Sequence, residues 1–211
     1  HYIGRKDEQG IQNAISTTAV IAATSGIFLL ITGLVIAKPL LEALDTPEDV
    51  MDLAVLYLRI FSLGMPFMMI YNFGAAILRS MGDTKRPFYS LVIAGVINVG
   101  LNLLLVIGFK MSVAGVAIAT VASNIVNAAI IICFLTHEKG IFRLKLKKLS
   151  VSKPELRKIL QIGVPAGIQG MVFSISNVFV LATINSFGSA AVAGSSAALN
   201  YEYYCYFVVS A

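Results

Sequence analysis

Long apolar stretches separated by short charged links constrain this chain more than any other feature of its sequence. A bilayer core about 30 Å thick requires about 20 helical residues. Hydrophobic residues make up 57% of the chain and charged residues 13%, whereas soluble domains average about 45–50% and 25%. The sequence therefore predicts an all-α, polytopic membrane helix bundle. We place six transmembrane helices at 14–37, 53–78, 88–109, 113–136, 160–187 and 190–211.

Capping signals support three of these boundaries. Thr46-Pro47-Glu48-Asp49 supplies an N-cap, a proline for the first turn and two acids, so the second span begins there or just after it. Ser152-Lys153-Pro154-Glu155 matches a capping box, which predicts a helix that starts in water and runs past Pro165. Gly188 and Ser189 predict a hairpin between the last two spans.

The distribution of lysine and arginine predicts the orientation of the bundle. Thirteen of the 16 basic residues lie in 1–13, 79–87 and 137–159, and positively charged loops stay in the cytoplasm. The links on the other side are acidic. This asymmetry accounts for the net charge of +5, and nucleic acid is not expected as a partner.

The link 137–159 is the only long one, and it is the best candidate for a boundary between two halves. Its segment Ile141–Lys147 alternates apolar and basic residues. Two interpretations stay open: the link lies on an anionic membrane surface, or it is a solvated tether.

Several small and polar residues stand out within the spans. Gly115, Ala119 and Ser123 repeat every fourth residue, which predicts a close helix–helix contact. Amides must find partners in lipid, so they are expected to point inward, either to join helices or to line a polar cavity. The residues concerned are Asn98 and Asn102, Asn124 and Asn127, and Tyr71 with Asn72.

Two charged residues fall inside predicted spans. Arg59 is about one turn into the second span, where it can reach the outer surface. Glu202 lies about 20 Å along the last helix if that helix starts at Ser189, past the middle of the membrane. A charged carboxylate there costs about 2.5–3.5 kcal/mol, and desolvation favours its protonated form. Glu202 is therefore the candidate for ion coupling; facing a water-filled vestibule or pairing with a basic residue elsewhere is the alternative.

No catalytic motif is visible, and we expect no enzyme. The sequence contains no H-E-x-x-H, no G-x-S-x-G and no phosphate-binding glycine loop. His1 and His137 lie at a terminus and in a link, so no metal site and no cofactor is predicted. Gly82 and Asp83 form a tight turn, after which Asp83 or Thr84 caps the next helix.

Three motifs give the chain a family resemblance. These are Leu78-Arg79-Ser80-Met81-Gly82-Asp83-Thr84-Lys85-Arg86-Pro87, the pair Asn98 and Asn102 in the following span, and Gly115-Val116-Ala117-Ile118-Ala119-Thr120. Tyr2–Asp7 and Ile162-Gly163-Val164-Pro165 add to the pattern. The sequence resembles the multidrug and toxic compound extrusion (MATE) transporters over nearly its whole length.

The resemblance implies a twelve-helix antiporter built from two six-helix lobes. This chain, which opens on His1 and stops within an apolar run, is expected to be an internal piece holding the third to eighth helices. Residues 1–136 then end the N-terminal lobe, 137–159 form the basic cytoplasmic link, and 160–211 start the C-terminal lobe. Some branches of the family place an acid in the first helix of the second lobe; here the polar residues nearest its mid-depth are Ser174 and Asn177.

These observations predict a secondary active antiporter in the cell membrane. It exports organic, often cationic, compounds in exchange for protons or sodium ions by alternating access. The expected partners are small organic substrates, membrane lipids and the remainder of the same chain. The alternatives are a lipid-linked oligosaccharide or polysaccharide flippase of related fold, for which only Arg59 offers a positive charge, and a non-transporting membrane scaffold. The candidate cavity-lining residues are Tyr71, Asn72, Asn98, Asn102, Ser174, Asn177 and Tyr201.

Overall fold

The computed structural model describes residues 7–43, 48–138, 140–146, 149–186, 194–195, 197–199, 201–203 and 205–206. Within these ranges the regular structure is helical and contains no strand, so the all-α prediction is confirmed. The chain separates into two compact units, residues 1–156 and residues 157–211.

Unit one contains five α-helices among its described residues. The fourth helix continues directly as a six-residue π-helix, Leu103–Gly108, and a short 3₁₀ turn, Gly140–Phe142, follows the fifth. The helices are α1 (Glu8–Ala43), α2 (Glu48–Leu63), α3 (Met65–Ser80), α4 (Lys85–Asn102) and α5 (Ser112–His137). Helix α1 packs against α2 and α3, and α5 packs against α2, α3 and α4.

Most of the predicted spans correspond to helices long and apolar enough to cross a bilayer. Among the described residues four single helices meet this test. The α2–α3 pair meets it only when its two helices are taken together, as a broken span or a re-entrant loop. Helix α1 is longer than the predicted 14–37, because it continues through Pro39 to Ala43. The sixth span, 190–211, and the hairpin at Gly188 lie largely or wholly outside the described residues.

The span predicted as one helix over 53–78 is two helices that meet at Gly64 with a bend of 43°. Pro66 lies in the first turn of α3 and has no N–H. It therefore cannot donate a hydrogen bond to a carbonyl in the last turn of α2, and the helical hydrogen-bond ladder is interrupted there. The Gly64 amide donates instead to the Phe61 carbonyl, at 2.9 Å. Helix α1 lies close to this break: a Cβ at Gly26 would be 2.6 Å from the Pro66 Cα. A sharp bend therefore replaces the straight span that apolar length alone predicts.

One end of unit one has a continuous apolar core, which we call the base cluster. The Leu78 and Ile131 side chains are fully buried there, and the 3₁₀ turn packs against them through Ile141 and Phe142. The larger members of the base cluster are Ile11, Ile15, Ile77, Leu78, Ile131, Leu135 and Leu144. This is the end at which the predicted cytoplasmic link leaves α5.

The first part of the link is packed against the helices of unit one. Leu144 is 6% exposed, and its amide donates to the Leu135 carbonyl at 2.9 Å. Gln12 in α1 donates to the carbonyls of Ile141 and Arg143. Within this segment Leu144 is buried and Ile141 and Phe142 are partly buried against the base cluster, whereas Arg143, Lys145 and Leu146 are exposed. Both interpretations of the link as a whole stay predictions.

The helix predicted by the 152–155 capping pattern begins at Lys153. This helix, α6 (Lys153–Ser186), contains Pro165 and continues into unit two. The Ser152 amide donates to the hydroxyl of Thr17, which is fully buried, at 3.0 Å. In unit two all described side chains from Leu160 to Asn177 are exposed, and most of them are apolar, as expected for a helix whose surroundings include lipid.

Candidate functional site

The polar side chains of α4 and α5 meet inside an otherwise apolar helix pair. The Asn98 amide nitrogen donates to the Ser123 hydroxyl at 3.2 Å, which joins the two helices. Asn102, one turn along α4, donates to the Asn98 carbonyl oxygen at 3.0 Å and to its side-chain oxygen at 3.1 Å. Ser123 in turn donates to the Thr120 carbonyl at 2.8 Å. We call Asn98, Asn102 and Ser123 the asparagine cluster.

A second polar contact joins the same helices nearer to the start of α4. The Ser90 hydroxyl donates to the side-chain oxygen of Asn127. Both residues are buried, with 0% and 4% exposure. Ser90 was not singled out in the sequence, although it lies two helical turns before Asn98 and therefore on the same face of α4.

The small residues Gly115, Ala119 and Ser123 of α5 are all buried, as close packing requires. A Cβ at Gly115 would lie 3.2 Å from the Leu105 Cβ in the π-helix. The Leu105 carbonyl accepts a hydrogen bond from the Met111 amide at 2.9 Å. The π-helix begins directly after Asn102 of the asparagine cluster, and π-helical turns occur frequently at functional sites.

Asn124 lies beside the break between α2 and α3. Its side-chain nitrogen is 3.5 Å from the place where a Cβ at Gly64 would stand. Among the described residues no hydrogen bond is formed by the Asn124 side chain, so its amide is available to water or to a ligand. Neither the break nor this proximity follows from spacing in the sequence.

Tyr71 and Asn72 do not join the asparagine cluster. Tyr71 packs against the base cluster, whereas Asn72 is exposed and donates to the Met68 carbonyl of its own helix at 3.0 Å. Arg59 in α2 is exposed. The structure therefore places these three side chains in different surroundings from Asn98 and Asn102.

The remaining candidates belong to unit two. Ser174 and Asn177 are exposed on α6, and Tyr201 and Glu202 are exposed in a short helical segment, 201–203. Their assignment to ion coupling and to the cavity stays a prediction.

The turn between α3 and α4 carries an ion-pair network. The Asp83 carboxylate accepts hydrogen bonds from the backbone amides of Lys85 and Arg86, each at 3.1 Å, so Asp83 rather than Thr84 caps α4 through its side chain. The Arg86 guanidinium donates to Asp83 and to Glu138 at the end of α5, and lies 5.9 Å from the centre of the Phe134 ring. The hydrogen bond from the Arg86 amide is the main cause that lowers the pKa of Asp83, against partial desolvation.

The sequence of this chain is similar to those of known membrane proteins. Residues 1–104 match the family model described as MatE. The chain is 32% identical over 197 residues to the "Probable multidrug resistance protein YoeA" of Bacillus subtilis, a match that covers 90% of this chain and 42% of that protein. The chain thus spans less than half the length of this relative.

Solved structures show the same similarity in three dimensions. A MATE crystal structure in the bent conformation matches with a TM-score of 0.85 at 25% identity, over 94% of this chain and 45% of that one. A MOP superfamily transporter from Pyrococcus furiosus, whose binding pocket is described as having reverse polarity that suggests a different function, matches with a TM-score of 0.86 at 25% identity, over 95% and 45%.

The fold and the sequence matches define a multi-pass membrane protein, and the proteins it matches are named as multidrug resistance proteins and as transporters. Residues 1–104 carry a MatE family domain, and the similarity to a named multidrug resistance protein extends over 90% of the chain. The family resemblance inferred from the Arg79–Thr84 motif is therefore confirmed.

Proposed function

We propose that this chain acts in a secondary active antiporter that exports small organic, often cationic, compounds in exchange for protons or sodium ions. The whole-length relatives that it resembles bear the names of multidrug resistance and export proteins. In this mechanism the helix bundles alternate between outward-facing and inward-facing states as ions bind and leave.

The asparagine cluster is the observation that carries this proposal. An interhelical hydrogen bond inside a membrane contributes only about 0.6 kcal/mol on average, and small side chains such as Gly115 already let α4 and α5 approach closely. Close packing of α4 against α5 therefore does not require the amides of Asn98 and Asn102 or the hydroxyl of Ser123. Together with Asn124 at the helix break, they provide carbonyl oxygens and N–H groups that can replace part of the hydration shell of an ion or a polar substrate.

Glu202 is the proposed ion-coupling residue, because it is the only acid of the last predicted span. Proton transport requires a group that binds and releases H⁺, and sodium transport requires oxygen ligands. A carboxylate fits either ion, so the coupling ion is decided by experiment and not by residue type.

Flux measurements on the full-length gene product in proteoliposomes test the proposal. Efflux of a fluorescent organic cation is measured under an imposed proton gradient and, separately, an imposed sodium gradient. We expect one of the two gradients to drive efflux. Glu202→Gln is expected to keep expression and folding but to lower gradient-driven efflux about tenfold or more, the equivalent of about 1.4 kcal/mol.

Glu42→Gln is the matched control, because Glu42 is an exposed carboxylate paired with Lys38 on α1. Its efflux should equal that of the unmodified protein. Wild-type efflux by the Glu202→Gln protein would remove Glu202 from the coupling step. If neither gradient moved the dye, the chain would instead belong to a scaffold or to a flippase with another substrate.

A further inference from the structure

An apolar cavity of about 150 Å³ lies within unit one, between α1, α3, α5 and the link. Leu146 and Leu149 of the link cover one side of it, and the small side chains of Ala19 and Ala23 on α1 leave the space open. All of its lining residues are apolar. Apolar cavities of this volume stay dry and accept hydrocarbon groups of the size of benzene. The cavity therefore suits a segment of an acyl chain.

A polar cavity of about 430 Å³ follows it toward the start of α1. The same link lines this second cavity through Lys145 and Ser150, and α1 lines it through Gln9, Asn13 and Ser16. Ser16 precedes Ala19 by one helical turn, so the two cavities succeed each other along one face of α1. Along α1, the polar cavity lies nearer to the start of the helix and the apolar cavity lies after it. A phospholipid has the same arrangement, with a polar headgroup followed by apolar chains.

We propose that this pair of cavities binds one anionic phospholipid of the inner leaflet. Its phosphate faces Lys145 in the polar cavity, and part of one acyl chain occupies the apolar cavity beneath Leu146 and Leu149. The site goes beyond the transport function, because none of the residues that line the two cavities is among those assigned to transport.

Charge complementarity favours an anionic lipid over an uncharged one or a peptide. Lys145 is the one basic residue of the described ranges that lines the polar cavity, and it belongs to a link with eight lysines and arginines. Basic segments on the cytoplasmic side attract anionic headgroups. Among the described residues no ion pair is formed by the Lys145 ammonium group. Glu8 also lines the polar cavity and disfavours a headgroup with more than one negative charge. A singly charged lipid with hydroxyl groups, such as phosphatidylglycerol, fits these requirements.

Native mass spectrometry of the purified full-length protein tests the site. The protein is exchanged into mixtures of phosphatidylglycerol and phosphatidylethanolamine with the same chains, and the retained lipids are counted after delipidation. We expect one phosphatidylglycerol to be retained in preference to phosphatidylethanolamine. Lys145→Gln should lower this preference about fivefold, because one basic contact is lost. Ala23→Leu should lower the retention of both lipids by filling the apolar cavity.

Two substitutions elsewhere serve as matched controls. Lys110→Gln removes a lysine on the other side of the predicted membrane, and Ala76→Leu adds the same bulk to an exposed position on α3. Both should retain lipid as the unmodified protein does. Equal retention of the two lipids, an unchanged preference in Lys145→Gln, or unchanged retention in Ala23→Leu would each overturn the proposal. A protein that keeps no lipid and forms a dimer would also overturn it, because a second copy of the chain would then cover the two cavities.

Discussion

Helix α5 is held in two different ways along its length. Near its start and middle, small residues and the asparagine cluster join it to α4, with Ser123 as the hydrogen-bond acceptor. Near its end, Ile131 and Leu135 are buried among large apolar side chains of the base cluster, and Glu138 pairs with Arg86. One helix thus combines a polar contact inside the membrane with an apolar core at the membrane edge.

The difference separates groups that hold the fold from groups that are available for binding. Truncation of a buried apolar side chain costs about 2–5 kcal/mol, whereas hydrogen bonds between membrane helices average about 0.6 kcal/mol. The base cluster therefore supplies most of the stability of α5. The asparagine cluster is expected to contribute little stability, so its polar atoms could exchange partners in the proposed transport cycle without unfolding the bundle.

Truncation in the base cluster should have the largest effect on stability. Ile131 is fully buried, and Ile131→Ala leaves a cavity that the surrounding helices fill only in part. We expect the free energy of unfolding to fall by about 2–5 kcal/mol, measured by thermal unfolding in detergent. Ile93→Ala removes the same atoms from an exposed position and should have a much smaller effect. Equal losses for the two variants would contradict the role assigned to the base cluster.

Overpacking between α3 and α5 should rank second. A Cβ at Gly74 would overlap with the Ile131 Cγ2, whereas a Cβ at Gly95 would meet no heavy atom within 4 Å. Gly74→Ala is therefore expected to lower stability by about 1–3 kcal/mol. Gly95→Ala should be neutral or should stabilise the helix by up to about 1 kcal/mol, because alanine loses less backbone entropy than glycine. The same thermal assay compares them; a stable Gly74→Ala protein would show that α3 and α5 separate readily.

The helix cap in the α3–α4 turn should rank third and should depend on pH. Asp83→Ala removes the acceptor for two backbone amides, so we expect a loss of about 1 kcal/mol at pH 7. Because the pKa of Asp83 is lowered in the folded protein, its charge stabilises the fold above about pH 4 and that contribution is lost as the pH falls through the lowered pKa.

The variant Asp83→Asn separates the cap from the charge. It keeps a side-chain oxygen near the amides of Lys85 and Arg86, so its difference from the unmodified protein should be present at pH 7 and should shrink toward pH 3. Asp52→Asn, at an exposed position on α2, is the control in the same pH series of thermal unfolding measurements. A difference that stays constant with pH would contradict the role of the Asp83 charge.

The asparagine cluster should give the smallest change in stability. Asn98→Leu removes the hydrogen bond to Ser123 and one of the two acceptors of the Asn102 amide, whose bond to the backbone carbonyl of residue 98 remains. The new side chain is of similar size, so we expect a loss of about 0.6 kcal/mol. Val99→Leu, at an exposed position one residue along α4, is the control for a new leucine on the same helix. A loss as large as that of Ile131→Ala would mean that Asn98 holds the fold.

The sequence predicts much of this fold, since apolar length and helix caps mark where helices cross the membrane and where α2 and α6 begin. It does not predict the bend at Gly64, because a Gly-Met-Pro run is compatible with a kinked helix as well as with a straight one. Ser90 also escapes prediction, because a single serine in an apolar span usually bonds to its own helix. The burial of Leu144 is not predicted either, because it depends on how the side chains of the base cluster are arranged around it.

Candidate site residues are predicted less well than helices. The spacing of Asn98 and Asn102 puts both on one face of α4, and the structure joins them through a hydrogen bond. Tyr71 and Asn72 have the same polar character, yet they lie apart from this cluster because the direction of each side chain depends on how α3 is rotated. Residue type in a membrane span therefore indicates that a polar group has a partner, but not which one.

A paired measurement on Asn98→Leu tests the division between stability and transport most directly. The full-length variant is assayed for thermal unfolding in detergent and for gradient-driven efflux of an organic cation in proteoliposomes. We expect stability to change by less than about 1 kcal/mol while efflux falls about tenfold or more, with both properties unchanged in Val99→Leu. Unchanged efflux, or efflux that falls only as far as the amount of folded protein falls, would contradict a role for the asparagine cluster in transport.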